Sequence, residues 1–327
     1  MVAKLQVLGV PTSMGAFAPG QEDAPAALRD AGLLDRLRAA GVDVADAGDL
    51  PRQRWTADAA RPEAQNVAAV ADITGRVADR IAELDADRPL LVLGGDCSVE
   101  LGVVAGHVRR PGRAGLLYVD LHADLNTPAT TDQGALDWMV VSHLIGAATA
   151  VPDAAVLDAD QVHYFGVDQN RLTPGERDLL AEHDLAVTTA KRVARDPVGA
   201  AAAARAAMAG FDQLLIHLDV DLVDFNDLPL SENAGRAQGL ALDTVLAALG
   251  ELLRAPNLRA LTVTELNPNH GAEDGSTLER FVAGLVAAVA PQVRQLGAHG
   301  QLGGIPQRRV DVGVDVLDHG PGGGVRS

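Results

Sequence analysis

Short apolar runs alternate along this chain with longer segments of helical periodicity, and this alternation restricts the fold more than any other feature. Six runs have the length and composition of buried strands: residues 4–10, 89–93, 115–119, 162–166, 214–218 and 260–264. Seven segments have helical character: 25–40, 66–84, a run from Trp138, 174–183, 198–208, 242–254 and 276–290. This alternation predicts an α/β fold, a parallel sheet covered by helices on both faces. The acidic segment 42–61 is expected to be a loop.

Polar and ionisable residues directly follow four of these strands. The Gly94–Ser98 segment comes after the second strand, Asp120–Asn126 after the third, Asp219–Asp221 after the fifth and Glu265 after the sixth. Ligand sites of open parallel sheets lie beyond the carboxyl ends of the strands. We therefore expect these four segments to meet at one edge of the sheet.

The segment after the third strand carries polar side chains at every second position: Asp120, His122, Asp124 and Asn126. In an extended backbone such residues project from the same face, and the two carboxylates would repel each other without a cation between them. Carboxylate and imidazole together suit a divalent first-row metal. Because Asp219 and Asp221 repeat the acidic pattern, we predict a shared metal site in preference to solvated acids at two strand ends.

Composition and charge limit the class of protein and its partners. A net charge of −17 argues against nucleic acid and anionic membrane surfaces as partners. Cys97 is the single cysteine, which excludes a disulfide within the chain and fits the reducing cytoplasm. The N-terminal residues resemble a first strand and not a signal peptide, and no apolar run is long enough to predict a transmembrane helix.

Four segments resemble the arginase/agmatinase (ureohydrolase) family in their order and spacing: Gly94–Ser98, Val119–Pro128, Asp219–Asp221 and Glu265–Pro268. The resemblance extends over residues 4–290 and implies a three-layer α-β-α fold around a mainly parallel eight-stranded sheet. It divides the chain into a catalytic domain, 1–290, and a C-terminal appendage, 291–327. Within the appendage, 292–319 have no predicted role and the Gly-rich end 320–327 is expected to be disordered. The resemblance also implies a homo-oligomer, either a trimer or a hexamer.

The resemblance implies two Mn²⁺ ions that share a bridging hydroxide. By position in the motifs, one ion would bind Cys97, Asp120, Asp124 and Asp219, and the other Asp120, His122, Asp219 and Asp221. Such ions lower the pKa of bound water, so that hydroxide is present near neutral pH to attack a guanidinium carbon. The resemblance further implies that Asp124 binds the nucleophile and carries its proton. Glu265 would hold the guanidinium through paired, charge-assisted hydrogen bonds.

The chain departs from the family pattern at two positions close to the chemistry. The family normally has His where Cys97 stands, and a thiolate ligand favours Zn²⁺, Fe²⁺ or Co²⁺. The alternative is that Cys97 is an inert buried thiol beside one weak or empty metal site. Asp137 takes the place of the arginase proton-shuttle His, and its ordinary pKa of about 4 matches neutral pH poorly.

A third departure concerns the substrate's amino-acid head group. Thr173 stands where arginases have an Asp that contacts the α-amino group, although Glu176 is retained, and the α-carboxylate contacts map to Asn126, Thr131 and Gln133. We therefore predict a binuclear-metal amidinohydrolase that cleaves arginine or a modified arginine, such as N-hydroxyarginine, to release urea or hydroxyurea. The alternatives are an agmatinase or guanidinoacid-type enzyme, and a catalytically silent homologue with a binding role. His217, two residues before Asp219, either lines the site or packs in the core.

Overall fold

A computed structural model describes residues 3–131, 133–232 and 238–299. The strands in these ranges are β1 (Ala3–Gly9), β2 (Val42–Asp49), β3 (Leu90–Leu93), β4 (Ala114–Val119), β5 (Val162–Val167), β6 (Ala186–Thr189), β7 (Gln213–Asp219) and β8 (Leu258–Thr264). They form one sheet in the order β2-β1-β3-β8-β7-β4-β5-β6, and every neighbouring pair is parallel. The predicted eight-stranded parallel sheet is confirmed.

Helices cover both faces of the sheet. They are α1 (Ala24–Asp30), α2 (Leu33–Ala39), α3 (Val67–Glu83), α4 (Val99–Val108), α5 (Val140–Leu144), α6 (Pro174–Glu182), α7 (Ala190–Arg195), α8 (Pro197–Ala207), α9 (Leu242–Leu252) and α10 (Ser276–His299). One apolar core lies between the sheet and α1, α2, α7, α8, α9 and α10. The other lies between the opposite sheet face and α3, α4, α5 and α6. The three-layer α-β-α arrangement is therefore also confirmed.

Successive residues of the central strands point to opposite faces, as the pleat of a strand requires. In β4, Leu117 belongs to one core and Tyr118 to the other. In β7, Ile216 and Leu215 divide in the same way. Because both faces are buried, these strands consist mostly of apolar residues, with His217 as a buried polar exception in β7. That is why β4 and β7 are recognisable in the sequence.

The two edge strands, β2 and β6, are not among the strands predicted from the sequence. The loop expected at 42–61 is wrong over β2, whose buried residues are Val42 and Val44, with acidic residues between and beyond them. An edge strand carries charged side chains on its exposed positions, so it lacks the continuous apolar run of a central strand. At the other edge, β6 has only four residues, Ala186–Thr189, and is too short to give a periodic signal.

Helix boundaries differ from the prediction in three places. The predicted helix 25–40 is two helices, α1 and α2, separated at Gly32 with a left-handed φ of 79°. The helix expected from Trp138 starts as a 3₁₀ turn, Leu136–Met139, and continues as α5. The last helix, α10, runs past the predicted domain boundary at 290 to His299, and the rest of the predicted appendage lies outside the described residues. Within the described ranges, no helix combines the length and apolarity needed to cross a membrane.

Candidate active site

The four polar segments extend from four neighbouring strands at the centre of the sheet. In the order β3, β8, β7 and β4, these strands lead into Cys97, Glu265, Asp219 and Asp120. A pocket of about 870 Å³ lies over these strand ends. The predicted site residues that line it are Cys97, His122, Asp124, Asn126, Gln133, Asp137, Thr173, Glu176, Asp219, Asp221 and Glu265. The predicted convergence at one edge of the sheet is therefore observed.

Two groups of ligand atoms are compact enough to hold one ion each. The first consists of Cys97, Asp120 and His217, and the second of Asp120, His122 and Asp221; within each group the atoms lie within 4.8 Å of one another. Asp120 belongs to both groups, is fully buried, and its Oδ2 has no hydrogen-bond partner among the described residues. A buried carboxylate oxygen without a donor is costly, and a bridging position between two cations would satisfy it.

Local turns hold the carboxylates of this centre in place. The backbone N–H of His122 donates to Asp120 Oδ1 at 2.7 Å, and the backbone N–H of Asp221 donates to Asp219 Oδ1 at 2.6 Å. In both cases an aspartate at a strand end accepts from the amide two residues on, which is the turn that Asp favours. Around the same centre, His122 Nδ1 lies 3.0 Å from Asp221 Oδ2.

Asp124 shows that the predicted extended backbone after β4 is wrong. Its φ of 45° is left-handed, and β4 ends at Val119, so the chain turns in place of continuing as a strand. Asp124 Oδ2 accepts a hydrogen bond from the hydroxyl of buried Tyr118. Asp124 and Asp219 line the pocket but fall outside both compact groups. Asp219 still contacts the first group, with its Oδ2 3.2 Å from Cys97 Sγ.

Glu265 lies beside Cys97 and faces the pocket. Its Oε1 accepts from the backbone N–H of Cys97 at 2.7 Å, and its Oε2 accepts from Gln21 Nε2 at 3.2 Å. Like Asp124, it has a positive φ, 60°, a conformation that costs a non-glycine residue about 1–3 kcal/mol. The two left-handed residues of this site are thus both carboxylates that the resemblance assigns to chemistry.

The predicted head-group contacts have a structural role as well as a place at the pocket. Thr173 and Glu176 form a reciprocal capping box at the start of α6, and Glu176 Oε1 also accepts from the backbone N–H of Leu125 at 3.3 Å. Thr173 Oγ1 donates to Asn126 Oδ1 at 3.1 Å. Together these bonds connect α6 to the Asp120–Asn126 segment that follows β4. Thr131 is not among the lining residues of the pocket.

Comparison with known proteins agrees with this geometry. The sequence matches the Arginase family over residues 3–290. The chain belongs to the arginase family. Arginase-1 from Homo sapiens is 31% identical over 277 residues, covering 81% of this chain and 85% of that protein. Two solved structures share the fold: arginase from Bacillus cereus (TM-score 0.76, 24% identity, 89% of this chain and 98% of that chain) and proclavaminate amidino hydrolase from Streptomyces clavuligerus (TM-score 0.67, 20% identity, 90% and 93%).

Arginase-family proteins are hydrolases that act on guanidino or amidino groups, and this member is an amidinohydrolase. The family depends on a binuclear metal centre, and the two compact groups around Asp120 supply potential ligands for it. The charge balance fits such a centre. Burial, followed by repulsion from neighbouring carboxylates, raises the pKa values of Asp124 and Asp219 well above the ordinary range. Two divalent cations would reverse that effect.

This arginase-family pocket includes residues that are absent from the predicted site, and one predicted residue has a property that the sequence does not reveal. Asp168 and Arg171 form an ion pair of 3.4 Å and line the pocket, but these half-buried residues lie in a turn after β5 and give no periodic signal. Asp137 is buried, and burial, then Glu265 and other carboxylates, raise its pKa well above the ordinary value. Burial thus shifts the pKa of Asp137 in the direction that a proton donor near neutral pH requires.

Removal of metal is expected to make stability depend on pH. The pKa values of Asp124 and Asp219 are raised in the metal-free fold, so the unfolded chain binds fewer protons above the ordinary carboxyl pKa of about 4. The free energy of unfolding of the metal-free protein should therefore decrease as the pH rises through the raised values. Added divalent metal at about 100 times its Kd should add about 2.7 kcal/mol, or about 5 °C in Tm.

Differential scanning fluorimetry with and without chelator, at about pH 5.5 and pH 8 on either side of neutrality, measures this effect. The chelator should lower Tm more at the higher pH. An unchanged Tm at pH 8 after complete metal removal would contradict the cation-dependent centre.

Proposed function

We propose that this arginase-family protein hydrolyses the guanidino group of arginine or of a modified arginine, such as N-hydroxyarginine, and releases urea or hydroxyurea. The observation that carries the proposal is that Asp120 belongs to both compact ligand groups. The pocket beside these groups is also lined by Glu265. A shared carboxylate is what two adjacent divalent ions require, and a second carboxylate above them suits a cationic substrate.

The proposed metal ligands are those inferred from the family motifs: Cys97, Asp120, His122, Asp124, Asp219 and Asp221. When bound, two divalent ions would supply hydroxide near neutral pH by lowering the pKa of water. We propose Mn²⁺ as the family's ion, with Zn²⁺, Fe²⁺ or Co²⁺ favoured wherever Cys97 ligates as a thiolate.

Side chains of the chain itself position the substrate and move protons. Glu265 faces the pocket and would pair with two N–H groups of the guanidinium. Asp124, fixed by the Tyr118 hydroxyl, would accept and carry the proton of the nucleophile. Asp137 lines the same pocket, where burial and neighbouring carboxylates raise its pKa, and it would donate a proton to the leaving amine.

The rim of the pocket favours a substrate with an amino-acid head group over agmatine. Arg171 and Asp168 offer one positive and one negative group there, which complements an α-carboxylate and an α-amino group. Agmatine has no carboxylate and would leave Arg171 without a partner on the substrate. Asn126, Gln133 and Thr173 add hydrogen-bonding groups along the same wall.

Product assays across a substrate panel test the proposal. The purified protein, supplied separately with Mn²⁺, Co²⁺ and Zn²⁺, would be assayed for urea or hydroxyurea release from arginine, N-hydroxyarginine, agmatine and guanidinobutyrate. Hydrolysis of the first two substrates is expected. Faster hydrolysis of agmatine or guanidinobutyrate would favour the agmatinase or guanidinoacid alternative, and no hydrolysis with any metal would favour a silent homologue.

Asp137→Asn is expected to lower kcat by about 10²-fold or more, because an amide cannot donate the proton that the leaving amine needs. The KM should change little, because the amide keeps the shape of the carboxyl group. Steady-state kinetics from about pH 6 to pH 9, with metal content measured in parallel, check the result. Equal kcat values for the variant and the parent would remove Asp137 from the mechanism.

Three further expectations concern the protein as a whole. Homo-oligomerisation to a trimer or hexamer is proposed from the family and is tested by analytical ultracentrifugation. A cytoplasmic location is proposed from the single, buried thiol of Cys97. The division between a catalytic domain, 1–290, and an appendage, 291–327, stays a prediction.

A further inference from the structure

His217 is a buried histidine whose two ring nitrogens face different partners. It lies in β7 opposite Tyr118 of β4, and its ring stacks on the Tyr118 ring at 4.2 Å with an interplanar angle of 3°. Its Nδ1 lies 3.3 Å from Glu100 Oε2 on α4, and its Nε2 lies 3.3 Å from Cys97 Sγ. The ring therefore connects a carboxylate on the covering helix to the ligand groups at the strand ends.

The partners of the ring determine where its proton lies. A carboxylate oxygen accepts hydrogen bonds, so the contact with Glu100 Oε2 favours the tautomer with the ring proton on Nδ1. Nε2 then presents a lone pair toward Cys97 and toward Thr264 Oγ1, which is 3.2 Å away. A histidine held by a carboxylate through one nitrogen is the usual arrangement of a metal-ligating imidazole.

Other buried histidines lack this arrangement. His107 and His143 place Nδ1 against the backbone carbonyls of Val103 and Met139. Their Nε2 atoms have no hydrogen-bond partner among the described residues, and neither residue belongs to a compact ligand group there. The carboxylate–imidazole–thiol series thus distinguishes His217 from His107 and His143.

The spacing of the ligand atoms fits a single ion. On a tetrahedral ion with metal–sulfur and metal–nitrogen bonds of about 2.3 and 2.0 Å, the two ligand atoms lie about 3.5 Å apart. Cys97 Sγ and His217 Nε2 are 3.3 Å apart. The third member of this group, Asp120, is fully buried and has an unpartnered Oδ2. A sulfur, a nitrogen and an oxygen ligand therefore converge from β3, β7 and β4.

We propose that His217 ligates the metal ion of the fully buried group, together with Cys97 and Asp120, and that Glu100 positions the His217 ring. The proposal rests on the binuclear centre of the proposed function and adds a ligand that the family motifs do not assign. On binding, the metal replaces the proton of the Cys97 thiol, which passes to solvent. A thiolate and an imidazole on one ion favour Zn²⁺ or Co²⁺ over Mn²⁺ at that position.

Cobalt substitution of the intact protein tests the proposal without measuring hydrolysis. The thiolate-to-cobalt charge-transfer absorption reports occupancy of the site that contains Cys97. Paramagnetically shifted, exchangeable imidazole resonances in proton NMR report ligating histidines. The ring N–H of His217 is buried and faces Glu100, so its exchange with water should be slow enough for detection.

His217→Gln should eliminate one shifted imidazole resonance and weaken cobalt binding at the thiolate site by at least 10-fold. Glu100→Gln should keep that resonance at a changed position and weaken binding by about 10- to 100-fold. His107→Gln, which removes a buried imidazole of α4, is the matched control and should change neither signal.

If His217→Gln does not fold, Glu100→Gln and zinc X-ray absorption on the unmodified protein provide the test. Two imidazoles and one sulfur per two zinc ions are expected.

The outcomes separate this proposal from the proposed function. Two bound cobalt ions, with all shifted resonances and the thiolate absorption unchanged in His217→Gln, would overturn the ligand assignment alone. A single imidazole per two zinc ions in the unmodified protein would do the same. Failure to bind any cobalt would instead contradict the binuclear centre itself.

Discussion

Asp120→Asn is expected to lower kcat for guanidine hydrolysis by about 10⁴-fold or more and to reduce the bound metal by at least one ion per chain. Asp120 belongs to both compact ligand groups. Replacing its carboxylate with an amide should therefore weaken the binding of both metal ions. Without the ions, water keeps its ordinary pKa, far above neutrality, and hydroxide is scarce at neutral pH. Metal analysis by mass spectrometry and single-turnover assays measure the two effects.

The asparagine variant should still fold, because an amide oxygen can replace Asp120 Oδ1 as the acceptor for the His122 backbone N–H. Asp212→Asn is a suitable control, since Asp212 likewise accepts a backbone N–H, from Arg113, at the opposite ends of β4 and β7 from the site. Retention of two ions and more than a tenth of the activity in Asp120→Asn would contradict a bridging carboxylate.

Glu265→Gln is expected to lower kcat/KM by about 10²-fold or more while leaving the metal content unchanged. Hydrogen bonds to a charged group are each worth about 1.5–3 kcal/mol, and the carboxylate would make two of them to the guanidinium. The glutamine oxygen can still accept from the Cys97 N–H, which lies 2.7 Å from Glu265 Oε1. The backbone around Cys97 should therefore keep its position.

Steady-state kinetics with arginine or N-hydroxyarginine and metal analysis of the same samples distinguish this variant from Asp120→Asn. Glu251→Gln, which alters an ion pair with Arg205 on α8 and Arg254 after α9, is the control and should keep full activity. If Glu265→Gln loses metal in proportion to activity, Glu265 supports the metal centre and does not bind the guanidinium.

The centre of the fold can be predicted from the sequence because the interior strands are buried on both faces. Such strands are apolar at most positions, which marks β4 and β7 without further information. The edges cannot be found in this way. In β2, the acidic residues beside Val42 and Val44 satisfy the solvent-exposed positions of an edge and resemble a loop. Gly32 separates α1 from α2. This break could not be predicted because the apolar residues keep their helical spacing on both sides of Gly32.

The sequence predicts which residues enter the site, because they directly follow strands. It does not predict the backbone conformations of those residues. The strand ends bring Asp120 and Asp219 together wherever the sheet is parallel. The left-handed turn at Asp124 and its bond to Tyr118 depend on three-dimensional packing. So does the raised pKa of Asp137, which arises from burial beside Glu265. His217 could have been noticed from its two-residue offset from Asp219, but only the contact with Glu100 distinguishes it from a core histidine.

The sheet order has a consequence for how the protein is made. The strands synthesised first fall into two separate trios, β2-β1-β3 and β4-β5-β6, and the last two strands, β8 and β7, lie between them. A ribosome that stops before Gln213 therefore releases a chain whose two partial sheets lack the strands that pair with both of them. Because contacts distant in sequence form slowly, this joining should come late in folding. Metal uptake by a growing polypeptide should accordingly report that β7 and β8 have been synthesised and have paired with the rest of the sheet.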